Sequence, residues 1–120
     1  MIESYKDLIV WQKAVSLVTL IYKVTKEFPK EEVFGITSQM RRCAVSIPSN
    51  IAEGRQRKTS KDFVQFLRIA RGSCAELETQ VAIAKNLGYI DSSRELRINN
   101  ELTEILKIIN TIIRKLEAKS

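Results

Sequence analysis

Histidine is absent from this chain, and cysteine occurs only twice, as Cys43 and Cys74. Without an imidazole, Ser46, Ser49 and Ser73 have no customary base to activate them, and the commonest ligand of catalytic metals is missing. Two thiols are too few for a zinc site built on cysteine and histidine. Glu76 and Glu78 stand two apart on a helical stretch and so do not face each other, which argues against a paired-carboxylate site. There is no glycine-rich loop of the kind that cradles phosphates. No catalytic residue, cofactor or metal ligand is therefore assigned, and the chain is expected not to be an enzyme.

Aromatic residues are also scarce, at one Trp, three Tyr and four Phe. Phe63 and Phe66, the only aromatics close to the basic residues discussed below, fit a helical core, so stacking on nucleobases and sequence-specific readout are not expected. Long apolar runs are lacking as well. The longest, Ala14 to Tyr22, contains Ser16 and Thr19 and falls far short of the roughly 20 residues that span a bilayer. Glu3 and Asp7 stand where a secretory signal carries basic residues, which points to a cytoplasmic protein with reduced thiols. Strand-type alternation, repeats and biased stretches are missing too. The 120 residues suit one domain spanning 1–120.

What is present is an uneven charge distribution. Between residues 41 and 71 stand Arg41, Arg42, Arg55, Arg57, Lys58, Lys61, Arg68 and Arg71, opposed only by Glu53 and Asp62. This surplus of six equals the net charge of +6 of the whole chain, because the remaining 12 basic and 12 acidic side chains cancel. A cationic segment in a neutral frame implies a polyanionic partner, of which nucleic acid is the commonest.

The hydrophobic pattern predicts four helices. The first starts at Ser4, where Ser4-Tyr5-Lys6-Asp7 fits a capping box, and ends by Phe28 because of Pro29. It carries two apolar stripes: Leu8, Trp11, Val15, Val18, Tyr22, and Val10, Ala14, Leu17, Ile21, Val24, Phe28. The second helix runs from about Gly35 to Gly54 with a seam of Ile36, Met40, Cys43, Ile47 and Ile51, and contains Pro48, which must bend or interrupt it. The third begins at Thr59, another capping box with Asp62, follows Phe63, Leu67, Ala70, Cys74, Leu77, Val81 and Ala84, and ends at Gly88. Its small residues Gly72 to Ala75 permit close approach of Cys43 and Ala44. The fourth is capped near Ser92 and carries Ile98, Leu102, Ile105, Ile109, Ile112 and Leu116, with Leu106 and Ile113 beside them.

Short links between long helices give an all-α, antiparallel up-down-up-down four-helix bundle. Apolar surface to spare on the first and fourth helices predicts a homo-oligomer. In the hairpin of the second and third helices, Arg55, Arg57 and Lys58 occupy the turn, and Arg41 and Arg42 come level with Ser73 and Gly72, close to Arg71. The cations then form one zone about 24 Å long at 1.5 Å per residue, enough to follow several phosphates.

Three segments carry a resemblance to a known family: Val10-Trp11-Gln12-Lys13-Ala14; Thr37 to Arg42 followed by Ser46-Ile47-Pro48-Ser49-Asn50-Ile51-Ala52-Glu53-Gly54; and Ala75-Glu76-Leu77-Glu78-Thr79-Gln80. The chain resembles the bacterial four-helix-bundle proteins encoded by intervening sequences of 23S ribosomal RNA genes. It is more distantly similar to the accessory proteins of diversity-generating retroelements. The resemblance implies a bundle that assembles into rings, pentameric in some members, with Arg41 and Arg42 as candidates for RNA contact. Ser46, Pro48, Asn50, Glu53, Glu76 and Glu78 are architectural on this view. Two functions stay open: a non-catalytic oligomer that binds RNA or DNA phosphates through the basic hairpin, and a protein-interaction scaffold or accessory protein with no direct nucleic-acid role. Neither needs a membrane or a small-molecule substrate.

Overall fold

A computed structural model describes residues 4–119. It contains four α-helices, α1 (Ile9–Thr25), α2 (Ile36–Gln56), α3 (Ser60–Asn86) and α4 (Ser92–Ala118), with 3-10 turns at Tyr5–Asp7 and Lys30–Glu32 and no strand among the described residues. Each helix packs against two neighbours: α1 on α2 and α4, α3 on α2 and α4. The result is the expected four-helix bundle, 46 Å long and 21 Å across.

The core follows one stripe of each helix. On α1 the buried set is Val10, Ala14, Leu17, Ile21 and Val24, joined by Leu20, and Phe28 in the following link continues it. The other α1 stripe faces outward, yet Leu8, Trp11 and Val18 still pack on the core, while Val15 and Tyr22 are exposed. Part of its cover is the N-terminal turn, whose Tyr5 ring meets Trp11 edge-on at 5.4 Å. On α4 the buried residues are Ile98, Leu102, Ile105, Ile109 and Ile113, and Leu106, Ile112 and Leu116 are partly covered.

Several boundaries differ from the sequence expectation for identifiable reasons. Ser4 accepts from the Lys6 amide and caps only the 3-10 turn; Leu8 is then extended before α1 begins at Ile9. The edge-on ring contact and the packing of Leu8 on the core accompany this break, where local propensity alone would continue the helix. The first helix stops at Thr25, and three residues later Phe28 anchors on Tyr89 at 5.3 Å. The fourth helix is capped by Asp91 rather than Ser92, its carboxylate accepting from the Arg94 amide at 2.8 Å.

Gly54 does not end the second helix. It is buried, and a Cβ on it would lie 2.6 Å from the Cβ of Phe66, so α2 and α3 approach closely at this point. The helix also passes through Pro48 without interruption. Near it, Ser46 Oγ donates to the Cys43 carbonyl at 2.6 Å, and Asn50 Nδ2 donates to the Ser46 carbonyl at 2.7 Å. At the end of α3 the structure agrees with the sequence pattern. Gly88 adopts φ +80°, and the Tyr89 amide reaches back to the Ala84 carbonyl at 2.9 Å in a Schellman closure.

Candidate nucleic-acid interface

The bundle places the basic turn at one end. Arg57 closes α2, Lys58 takes a left-handed φ of 66°, and Thr59 caps α3 by accepting from the Asp62 amide at 3.1 Å. A positive φ is uncommon for a residue with a Cβ, and here it reverses the chain within three residues. Arg55 and Lys58 line a cleft of about 310 Å³ with Phe63 and with Leu116 of α4. Lys58 and Lys61 are exposed, and neither they nor Arg42 and Arg55 form an ion pair among the described residues.

The other predicted contact residues are turned to different sides. Arg57 donates to Glu53 at 3.0 Å and lies over the Phe66 ring at 5.1 Å. Arg68 pairs with Glu117 of α4, and Arg71 donates to Asn110 Oδ1 at 2.9 Å. Arg41 points the opposite way, toward α1, where Nε donates to Thr25 Oγ1 at 2.9 Å and the guanidinium covers the Tyr22 ring at 4.6 Å. The single zone expected from hairpin register is therefore divided. Arg55, Arg57, Lys58 and Lys61 cluster at the turn, Arg68 and Arg71 belong to the α3/α4 side, and Arg41 belongs to the α1/α2 side. Glu53 was a foreseeable partner, four residues before Arg57. Glu117 was not, because only the bundle brings the end of α4 beside α3.

Between α2 and α3 lies a groove of about 460 Å³ whose lining includes Arg42, Cys43, Ser46, Asn50, Glu76 and Gln80. Of the small residues anticipated in α3, Ser73 meets α2 closely, whereas a Cβ on Gly72 would meet nothing within 4 Å. Cys43 Sγ donates to the Ser73 carbonyl at 3.1 Å, and the Ser46 and Ser73 hydroxyls meet at 2.8 Å. Burial, with a lesser push from the Glu76 carboxylate, raises the Cys43 thiol to about 12. Burial, followed by the charge of Glu78, raises Cys74 to about 12. Both remain protonated thiols at neutral pH, poorly suited to nucleophilic attack. Residues of the second and third resembling segments thus share one groove.

A sequence profile described as "23S rRNA-intervening sequence protein" matches residues 6–111. The chain belongs to that family. It is also similar to a crystal structure of a protein of unknown function from the S23 ribosomal protein family of Bacteroides thetaiotaomicron, at 30% identity and a TM-score of 0.78. That alignment covers 88% of this chain and 98% of the other. No curated protein matches the chain significantly. Among the described residues of this family member, no helix is long and apolar enough to cross a membrane.

Proposed function

We propose that this protein is a non-catalytic, cytoplasmic homo-oligomer that binds RNA or DNA phosphates through the α2/α3 turn, with Arg55, Arg57, Lys58 and Lys61 at its centre. The observation that carries the reading is the clustering of those four cations at one end of the bundle, where, among the described residues, only Glu53 is paired to one of them. An exposed ion pair contributes little to stability, typically under about 1 kcal/mol, so phosphate readily replaces Glu53 on Arg57. Arginine forks match phosphate oxygens in two places at once. Arg42, Arg68 and Arg71 lie farther along the hairpin and extend the contact, and Arg41 contributes from the α1 side. Assembly into a ring such as a pentamer would repeat the cluster around an axis, and exposed Ile9, Val15 and Tyr22 on α1 offer apolar surface for it.

The test is binding of labelled single-stranded RNA followed by fluorescence anisotropy over a range of salt concentrations. Log affinity falls linearly with log salt, and Arg57→Gln with Lys58→Gln makes that fall shallower, by about 0.7 in slope for each phosphate no longer neutralised. Binding unchanged in the double variant eliminates the site. Sedimentation of a clean monomer at micromolar concentration eliminates the oligomer.

One observation favours the second reading, a protein-interaction scaffold. Phe34, in the link between α1 and α2, is 94% exposed, an unusual position for a large apolar ring unless a protein surface covers it. Pull-downs before and after nuclease treatment separate the two: partners released with the nucleic acid support the first, partners retained support the second.

A further inference from the structure

The corner where α1 leads into α2 holds a cleft of about 370 Å³ that is remote in sequence from the basic turn. Lys26, Lys30 and Arg41 line it, together with apolar Phe28, Pro29 and Val33 and the hydroxyl residue Thr37. Of the carboxylates of the same corner, Glu27 and Glu32 are bonded, and Glu31 is exposed. Glu27 pairs with Arg94 of α4 at 3.2 Å. Glu32 accepts from the Tyr89 hydroxyl at 2.8 Å and from the Ile36 amide at 3.5 Å. No acidic residue lines the cleft itself, which is bordered by Lys26, Lys30 and Arg41, with Glu31 and Glu32 just outside it.

Two further features point to an occupant. Arg41 is held in place by its bond to Thr25 and its position over Tyr22, so its guanidinium is preorganised. Thr37 is only 5% exposed, and its Oγ1 has no hydrogen-bond partner among the described residues. Buried hydroxyls are nearly always bonded, and an oxygen acceptor in the cleft would complete this one.

We propose that this corner is a binding site for an organic phosphate of mononucleotide size. The phosphate sits among Lys26, Lys30, Arg41 and the Thr37 hydroxyl, and the base lies on Phe28, Pro29 and Val33. Three cations and a hydroxyl suit the two charges and three free oxygens of a phosphomonoester. The adjoining apolar wall suits a flat base, and the volume falls within the usual range of small-molecule sites. The site binds this molecule as a ligand and does not depend on the α2/α3 turn. Its natural source is either a free nucleotide or the phosphorylated end of a strand.

The experiment is calorimetric titration and amide chemical-shift mapping of the full chain with AMP, adenosine and inorganic phosphate. A short oligoribonucleotide with and without a 5′-phosphate is then added to the Arg57→Gln/Lys58→Gln variant. AMP binding that moves amides at Lys26, Lys30 and Thr37, with adenosine at least tenfold weaker, supports the site. Thr37→Val and Lys30→Gln should each weaken AMP about tenfold, the scale of one hydrogen bond to a charged group, with the melting temperature checked in parallel. AMP bound as tightly as the phosphorylated oligonucleotide assigns a free nucleotide; a phosphorylated end bound well above both AMP and its hydroxyl counterpart assigns the strand end. The proposal is overturned by equal binding of AMP and adenosine, by shifts confined to the α2/α3 turn, by no binding of any probe, or by affinities untouched in both variants. Failure of RNA binding in the turn variant, by contrast, bears only on the proposed function.

Discussion

Gly54 and Phe66 touch backbone to side-chain root, with 2.6 Å separating the phenylalanine Cβ from the place where a Cβ on the glycine would be. Nothing flexible intervenes, so Gly54→Ala must push α2 away from α3. Overpacking of this kind typically costs about 1–3 kcal/mol, which outweighs the gain of about 1 kcal/mol in helix propensity. Urea unfolding should show a lower midpoint for the variant; an equal or higher midpoint means that the helices are not tightly apposed there.

Lys58 adopts φ 66° with a Cβ, a conformation that costs an L-residue about 1 kcal/mol relative to glycine. Lys58→Gly should therefore leave the protein as stable or raise its stability by up to about that amount while weakening RNA binding. Stability and binding moving in opposite directions would separate the charge of this side chain from its place in the fold. A destabilised Lys58→Gly protein would contradict the turn geometry.

Glu53 and Glu117 each hold an arginine of the candidate interface, Arg57 and Arg68. Both pairs are exposed, so Glu53→Gln and Glu117→Gln should cost under about 1 kcal/mol. Each releases a guanidinium toward phosphate. RNA affinity should rise in both variants, with a steeper salt dependence, measured by anisotropy; a fall in affinity would mean that these acids position the arginines instead.

The thiols of Cys43 and Cys74 are raised from 9.0 to about 12 in the folded protein, burial being the main cause. The folded state therefore keeps protons that the unfolded chain releases above pH 9. Stability from this source is complete below pH 9 and declines as pH rises toward 12. Denaturation followed across that window should show a shallower decline in a Cys43→Ala/Cys74→Ala variant than in the parent, and a thiol reagent at pH 8 should react with the parent far more slowly than with unfolded chain. Rapid reaction of the folded protein would show that the thiols are not enclosed.

Helix number, bundle class and most core positions were determined by the sequence alone, because a period near 3.6 and local capping chemistry act within a few residues. Val10 to Phe28, Ile98 to Ile109, the Thr59 cap and the Gly88 closure could all be read this way. The net positive charge of the segment from Arg41 to Arg71 was equally legible, since charge needs only counting. Direction was not. Whether an arginine extends from the hairpin or turns to Thr25, Asn110 or Glu117 depends on which helix stands beside it, and those neighbours are 16, 39 and 49 residues away along the chain. The tertiary structure likewise decided that Gly54 is a contact rather than a stop, and that Thr37 and Arg41 on α2 share a cleft with Lys26 and Lys30. Such juxtapositions arise from packing between helices, which local periodicity does not encode.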